Sequence, residues 1–154
     1  MYQSMFLLGI ILFGSFMVSF NNYQEFAESL TVENNLVQVV QVVGEEINSF
    51  ISKSRSLQSS GSMVLTLTIN LDSQYADKSF YVKFNSNGLN QVTLEIYTGT
   101  ELISNYNFGY INGSDASLGQ INFDSTTILS SSDGTPLVIY EWSSNPLVEK
   151  VYFS

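Results

Sequence analysis

The sequence predicts an α+β fold, in which a long N-terminal hydrophobic α-helix is followed by an antiparallel β-sandwich head of immunoglobulin-like size. Three observations carry that prediction. The run from Met1 to Phe20 holds no charged residue. Residues 21–57 place apolar side chains at helical spacing and contain no proline. From Met63 onward, apolar and polar residues alternate between turn signals. The expected domains are 1–58 for the helix and 62–154 for the β-rich head.

The opening run is apolar on every helical face, through Phe6, Leu7, Leu8, Ile10, Ile11, Leu12, Phe13, Phe16, Met17 and Phe20. About 20 residues at the helical rise make roughly 30 Å, just enough to span the hydrocarbon core of a bilayer. A secretory signal peptide would need a basic region before the run and a small-x-small cleavage site after it. No Lys or Arg precedes Lys53, and Ser19-Phe20-Asn21 is a poor site, so the segment is expected to be retained.

Beyond it the helical period continues. Tyr23, Phe26, Leu30, Val37, Val40, Ile47 and Ile51 recur at gaps of three, four or seven, which stacks them on one side of a helix. The valines at 39, 40, 42 and 43 favour extended backbone by themselves, but Glu45, Glu46 and Asn48 carry the helical pattern past them. Glu25, Glu28 and Glu33 lie towards the start, and Lys53 and Arg55 lie at the end, as the helix dipole prefers. Ser59-Ser60-Gly61-Ser62 stops the helix, with Gly61 available for a positive-φ turn. Gly44 is the one interior glycine after residue 20. It costs about 1 kcal/mol relative to alanine, and it either marks a bend or is simply tolerated. A helix of roughly 50 residues is about 80 Å long, more than a small domain can cover. Its first half is expected in lipid or against other copies of itself; Gly9, Gly14, Ser15 and Ser19 either allow close helix approach, with Ser15 and Ser19 as a small-xxx-small pair, or are ordinary membrane-helix composition.

The β-rich part begins with Met63–Leu71, which alternates cleanly. Ser79–Phe84 and Gln91–Tyr97 follow, joined by Asn85-Ser86-Asn87-Gly88, a strong hairpin signal. Further strands are expected over Leu102–Phe108, Gly119–Phe123, Thr126–Leu129, Leu137–Trp142 and Leu147–Phe153. Asp133–Pro136 and Ser143–Pro146 supply turns between the last of these. Six to eight short strands with regular turns predict a sandwich.

Composition narrows the function. Five basic residues against 14 acidic ones give a net charge of −9, and no basic stripe exists to neutralise phosphates, so no nucleic-acid partner is expected. Without cysteine or histidine, disulfides, thiolate chemistry and Ser–His–Asp or Cys–His triads are excluded. Glu45 and Glu46 are adjacent, so on a helix they point about 100° apart and cannot act as a facing acid pair. Glu141 beside Trp142 is the other nearest approach to a catalytic or sugar-binding group, and Trp142 alternates with Tyr140 as a core or interface residue would. Asp115, Asp124 and Asp133 recur every nine residues, but their flanks form no calcium-loop pattern. No catalytic residue, cofactor or metal is assigned. Asn112-Gly113-Ser114 is the one N-glycosylation sequon, and it reads equally as an Asn-Gly turn.

Taken together, Met5–Phe20, the helical stripe from Phe26 to Ile51, and the Gly61–Thr68 entry into β-structure resemble the layout of archaeal type IV pilins. The related archaellum proteins and pilin-like accessory subunits share that layout. The resemblance covers the whole chain as architecture and rests on no short diagnostic motif. Precursors in this family carry a basic leader just before the apolar helix, so the numbering is expected to begin near a mature end or processing to differ. Met5 stands where many bacterial pilins carry a glutamate, a residue archaeal members commonly lack, so its absence counts only against a bacterial-type assignment.

The resemblance implies a non-enzymatic, extracellular filament subunit, inserted in the membrane before assembly and polymerising with itself. Phe6, Leu7, Leu8, Ile10, Ile11, Leu12, Phe13, Phe16, Met17, Phe20, Phe26 and Leu30 would then be the packing residues, and Asn112 the candidate glycosylation site. A cell-envelope protein or a surface glycan is the further partner implied. The alternative in the same family is a membrane-anchored accessory or stator protein whose β-sandwich head binds a cell-envelope protein.

Overall fold

The computed structural model describes residues 2–58, 60–69, 71, 79–87, 89–130 and 136–154, with residues 2–10 described by their helical backbone alone. One helix, α1 (Tyr2–Ser56), is followed by β1 (Ser62–Thr68), β2 (Tyr81–Ser86), β3 (Gln91–Thr98) and β4 (Glu101–Ile111). A 3-10 turn at Ala116–Leu118 leads to β5 (Asn122–Phe123), β6 (Ile128–Ser130), β7 (Leu137–Ser144) and β8 (Leu147–Phe153). The chain is thus α+β, a long N-terminal helix followed by sheets that are mostly antiparallel. It divides into two compact units, Met1–Asn34 and Asn35–Ser154. The division falls inside α1, whereas the sequence pattern drew the boundary at residues 58–62.

The first unit is helical throughout its described length. Its helix contains no proline, and Thr31 turns its hydroxyl back onto the Ala27 carbonyl at 2.9 Å, a local bond a helix accommodates. Among the residues whose side chains are described, which take in the apolar run only from Ile11 onward, no helix is long and apolar enough to cross a membrane. The expected membrane span therefore finds no support in those residues.

In the second unit, the valine-rich part of α1 stays helical because burial outweighs a β preference of a few tenths of a kcal/mol. Leu36, Val39, Val40, Val43, Ile47 and Ile51 are all buried, whereas Val42, off that face, is 64% exposed. The strands form two four-stranded sheets, ordered β1-β7-β8-β5 and β4-β3-β2-β6. The expected hairpins are present. β2 pairs with β3 from Tyr81↔Tyr97 to Ser86↔Val92, and β7 pairs with β8 from Val138↔Phe153 to Ser144↔Leu147. Gly61 takes the positive φ expected of it, at 137°. The expected turns at Gly88 and Asp133–Thr135 lie outside the described residues.

One pairing departs from the antiparallel expectation. β5 runs parallel to β8, Asn122 beside Lys150 and Phe123 beside Val151, and Asn112 bridges Ile121 in the same sense. The chain reaches β5 through the turn at 116–118 rather than through a hairpin, and a hairpin is what makes neighbours antiparallel.

The alternation read from the sequence decides what is buried. Val82 and Phe84 on β2, Val92, Leu94 and Ile96 on β3, and Val138 and Tyr140 on β7 are all 1% exposed or less. The Phe84 ring of one sheet stacks on Phe153 of the other, with centroids 4.2 Å apart and planes within 5°. Phe123 meets Phe84 edge-on at 5.1 Å.

Candidate interaction surface

The described part of the first unit carries its largest side chains in solvent. Ile11, Leu12, Phe13, Phe16, Met17, Val18, Phe20, Tyr23, Phe26 and Leu30 are all between 44% and 70% exposed. At about 100° per residue, Ile11 to Phe20 surround the helix, whereas Leu12, Phe16, Tyr23, Phe26 and Leu30 gather on one side. Glu25 and Glu28 fall off that side, Glu33 lies at its edge within about 20° of Phe26, and all three are also exposed. Phe16 and Phe20, one turn apart, stack at 6.3 Å. Eight expected packing residues, Ile11, Leu12, Phe13, Phe16, Met17, Phe20, Phe26 and Leu30, thus lie together on exposed helix. The side chains of Phe6, Leu7, Leu8 and Ile10 lie outside the described residues. Burying a large apolar side chain is worth roughly 1.5–3 kcal/mol, so this row of exposed apolar side chains is the candidate interaction surface among the described residues.

The second unit contains a polar cluster of a different character. Glu149 stands at an inward position of β8, in line with Val151 and Phe153, and is 4% exposed. A carboxylate there must be paired. Arg55, in the last turn of α1, donates from Nε to Oε1 at 2.7 Å and from Nη2 to Oε2 at 2.9 Å. The Tyr140 hydroxyl donates to Oε1 at 2.8 Å and accepts from Gln58 Nε2 at 2.6 Å. Arg55 also lies over the Tyr110 ring, 4.9 Å from its centroid, and Nη2 reaches the Gly119 carbonyl at 3.3 Å. Burial, then the bond to Glu149, pushes the Tyr140 hydroxyl well above the usual tyrosine range. The bond to Glu149 holds the Arg55 guanidinium above its already high ordinary value. Both carboxylate oxygens and the phenol are occupied within the cluster. Chemically it is a clamp between α1, β7 and β8.

The sequence pattern missed this cluster. It assigned Arg55 to the helix dipole and Leu147–Phe153 to a plain apolar strand. One signal was present, an acidic residue at 149 in phase with Leu147, Val151 and Phe153, since a charge on the apolar face of a strand calls for a partner.

Gly44 also has a definite role. A Cβ at that position would lie 2.3 Å from Tyr106 Cγ and 2.8 Å from Tyr106 Cβ. The helix and β4 approach too closely for any side chain there, and α1 continues through the position. Close approach, rather than a bend or tolerance, accounts for this glycine.

The sequon residue Asn112 is half-buried, and its Oδ1 accepts from the Phe123 backbone N–H at 3.0 Å while Ser114 is exposed. Glu141 and Trp142 border a shallow hollow of about 180 Å³ with Met63, Val64 and Val148. Glu141 accepts a hydrogen bond from the Tyr152 hydroxyl at 2.6 Å. Asp115 and Asp124 each cap a turn, accepting from Ser117 N–H at 3.1 Å and from Thr126 N–H at 2.8 Å; Asp133 lies outside the described residues. Among the described residues no group of three or more acidic side chains is placed to hold a metal ion.

No protein-family model, curated protein or solved structure matches the chain.

Proposed function

We propose that this protein is the structural subunit of an extracellular, archaeal type IV-like pilus, polymerising through its N-terminal helix. The observation that carries the reading is the run of ten large apolar side chains exposed on helix between Ile11 and Leu30. In water that surface needs a cover, and identical helices packed side by side supply one with the same chemistry. Before assembly the uncharged run from Met1 to Phe20 is sheltered by contact with lipid. Exchanging lipid for protein gains little, because both are apolar, so filament growth requires an external energy source.

The finer reading of the β-rich unit is a sandwich of immunoglobulin-like size, with the two four-stranded sheets as its layers. The stacking of Phe84 on Phe153 between sheets supports it. The saturated clamp at Glu149 supports a structural part rather than a reactive one.

Electron microscopy of the purified full chain after detergent removal tests the proposal, with helical filaments as the expected result. Leu12→Glu and Phe16→Glu should each abolish them while leaving the circular dichroism of the folded protein unchanged, since both positions are exposed. Particles that stay monodisperse at every concentration, with and without detergent, would sink the filament reading and favour an anchored accessory protein.

A further inference from the structure

Four strands end the two sheets, and three of them carry features that discourage pairing with another chain. β5 and β6 are two and three residues long. β4 shifts register against β3 at Gln91/Thr93 and again at Ile96/Tyr97, and Gln41 of α1 donates to its Asn105 carbonyl at 3.2 Å. Short length, irregular register and a covering element are common protections of a sheet edge. Among the described residues β1 has none of them. It is seven residues long, Ser62 to Thr68, with no charge, no proline and an unshifted register against β7. Among the described residues it pairs on one side alone.

The ladder fixes which backbone groups face outward. Ser144 N–H donates to the Gly61 carbonyl at 2.9 Å, and Ile69 N–H donates to the Pro136 carbonyl at 3.0 Å. Hydrogen-bonded and non-bonded residues alternate along an antiparallel pair, so the odd-numbered residues turn to β7. Ser62, Val64, Thr66 and Thr68 are left with N–H and C=O directed to the open side. Side chains tell the same story. Leu65 and Leu67 stand in register with Tyr140 and Val138, which are fully buried, yet Met63, Leu65 and Leu67 remain half-buried.

We propose that β1 is a self-association edge, at which two copies pair β1 antiparallel to β1 about a two-fold axis at Leu65, joining their two β1-containing sheets into one. The strand is complementary to itself in this register. Val64 meets Thr66 and Ser62 meets Thr68, each pair bringing together outward-facing backbone groups. Met63 meets Leu67 and Leu65 meets its own copy, which completes the cover over the half-buried row. Every side chain keeps its side of the sheet. Charge favours a second copy over a charged peptide, since β1 offers nothing to attract one. The nearest charge on the neighbouring strand, Glu141, already faces Lys150, so two molecules of net charge −9 bring no like charges together on β1 and β7 among the described residues.

The chain has no cysteine, so introduced thiols report on this contact alone. Val64→Cys and Thr66→Cys are both at exposed positions and leave folding intact, which circular dichroism checks. In the proposed register residue 64 of one copy faces residue 66 of the other with Cα atoms about 5.5 Å apart, inside the roughly 4.4–6.8 Å that a disulfide requires. Identical positions sit on the diagonal, about 7–8 Å apart, beyond that reach. Oxidising a mixture of the two full-length variants in detergent should give a covalent dimer several-fold more abundant than either variant gives alone. Equal cross-linking in all three samples, or none in the mixture, overturns the proposal. Electron microscopy of the same samples reads filament formation separately, so neither result is confused with failure of the filament reading.

Discussion

Arg55 closes on Glu149 through two N–H···O bonds of 2.7 and 2.9 Å, one to each carboxylate oxygen, between residues 94 apart in the sequence. The carboxylate is 3% exposed and the guanidinium 30%, so the pair is wet on one side only. Removing the cation strands a buried charge. Arg55→Met should destabilise the protein by about 3 kcal/mol, a drop in Tm of roughly 6–12 °C at this size. Adding Glu149→Leu to Arg55→Met should recover most of that loss, because an apolar pair removes the desolvation cost. Urea unfolding measures both, and an Arg55→Met protein within about 0.5 kcal/mol of the parent would contradict the clamp.

Gly44 and Tyr106 define a second relationship with a readable sign. In an open helix Gly44→Ala would stabilise by about 1 kcal/mol. Here the new Cβ meets the base of the Tyr106 side chain rather than its mobile end, and the ring is held edge-on to Phe108 at 5.1 Å. Overpacking of this kind costs about 1–3 kcal/mol, so the net effect should be destabilising. In a Tyr106→Ser background the same substitution should become neutral or stabilising. A stabilising Gly44→Ala in the parent protein would show that the approach is looser than described.

Alkaline titration probes the outer face of β3. The hydrogen bond from the Tyr97 hydroxyl to Glu95, with burial adding to it, pushes the phenol up to about 12. Tyr140 and Tyr152 are also raised, the first mainly by burial and the second mainly by its bond to Glu141. Below pH 10 Tyr97 is protonated in folded and unfolded chains alike, and its contribution is constant. Between about 10 and 12 the unfolded chain releases that proton first, so stability falls as pH rises. Ultraviolet titration of the phenolates should show a late fraction among the nine tyrosines, and Glu95→Gln should move Tyr97 back towards its ordinary value. A single transition for all tyrosines at the ordinary value would refute this.

The sequon can be separated from the fold. Asn112 supports the Phe123 backbone through its side-chain carbonyl, so Asn112→Ala should cost about 1 kcal/mol whether or not a glycan is attached. Ser114 is exposed, and Ser114→Ala deletes the sequon while leaving that bond. Intact mass of the natively produced protein compared with Ser114→Ala reads modification. Equal stability of Asn112→Ala and the parent would remove the structural role assigned to this side chain.

What the sequence determined by itself is the local order. Helical spacing of apolar residues over 23–51 and two-residue alternation after Met63 are properties of neighbours a few positions apart, and they specify α1, most of the strands and the exposed apolar run as a set. The valine cluster in α1 was legible as helix because its flanks kept the period. The tertiary structure alone decided what required residues distant in sequence to meet. Glu149 acquired Arg55 and Tyr140, Gly44 proved to be needed by Tyr106, β5 came to lie parallel to β8, and β1 was left at the end of its sheet. Periodicity assigns a side chain to a face but says nothing of what that face will meet, because the partner is selected by packing of the whole chain.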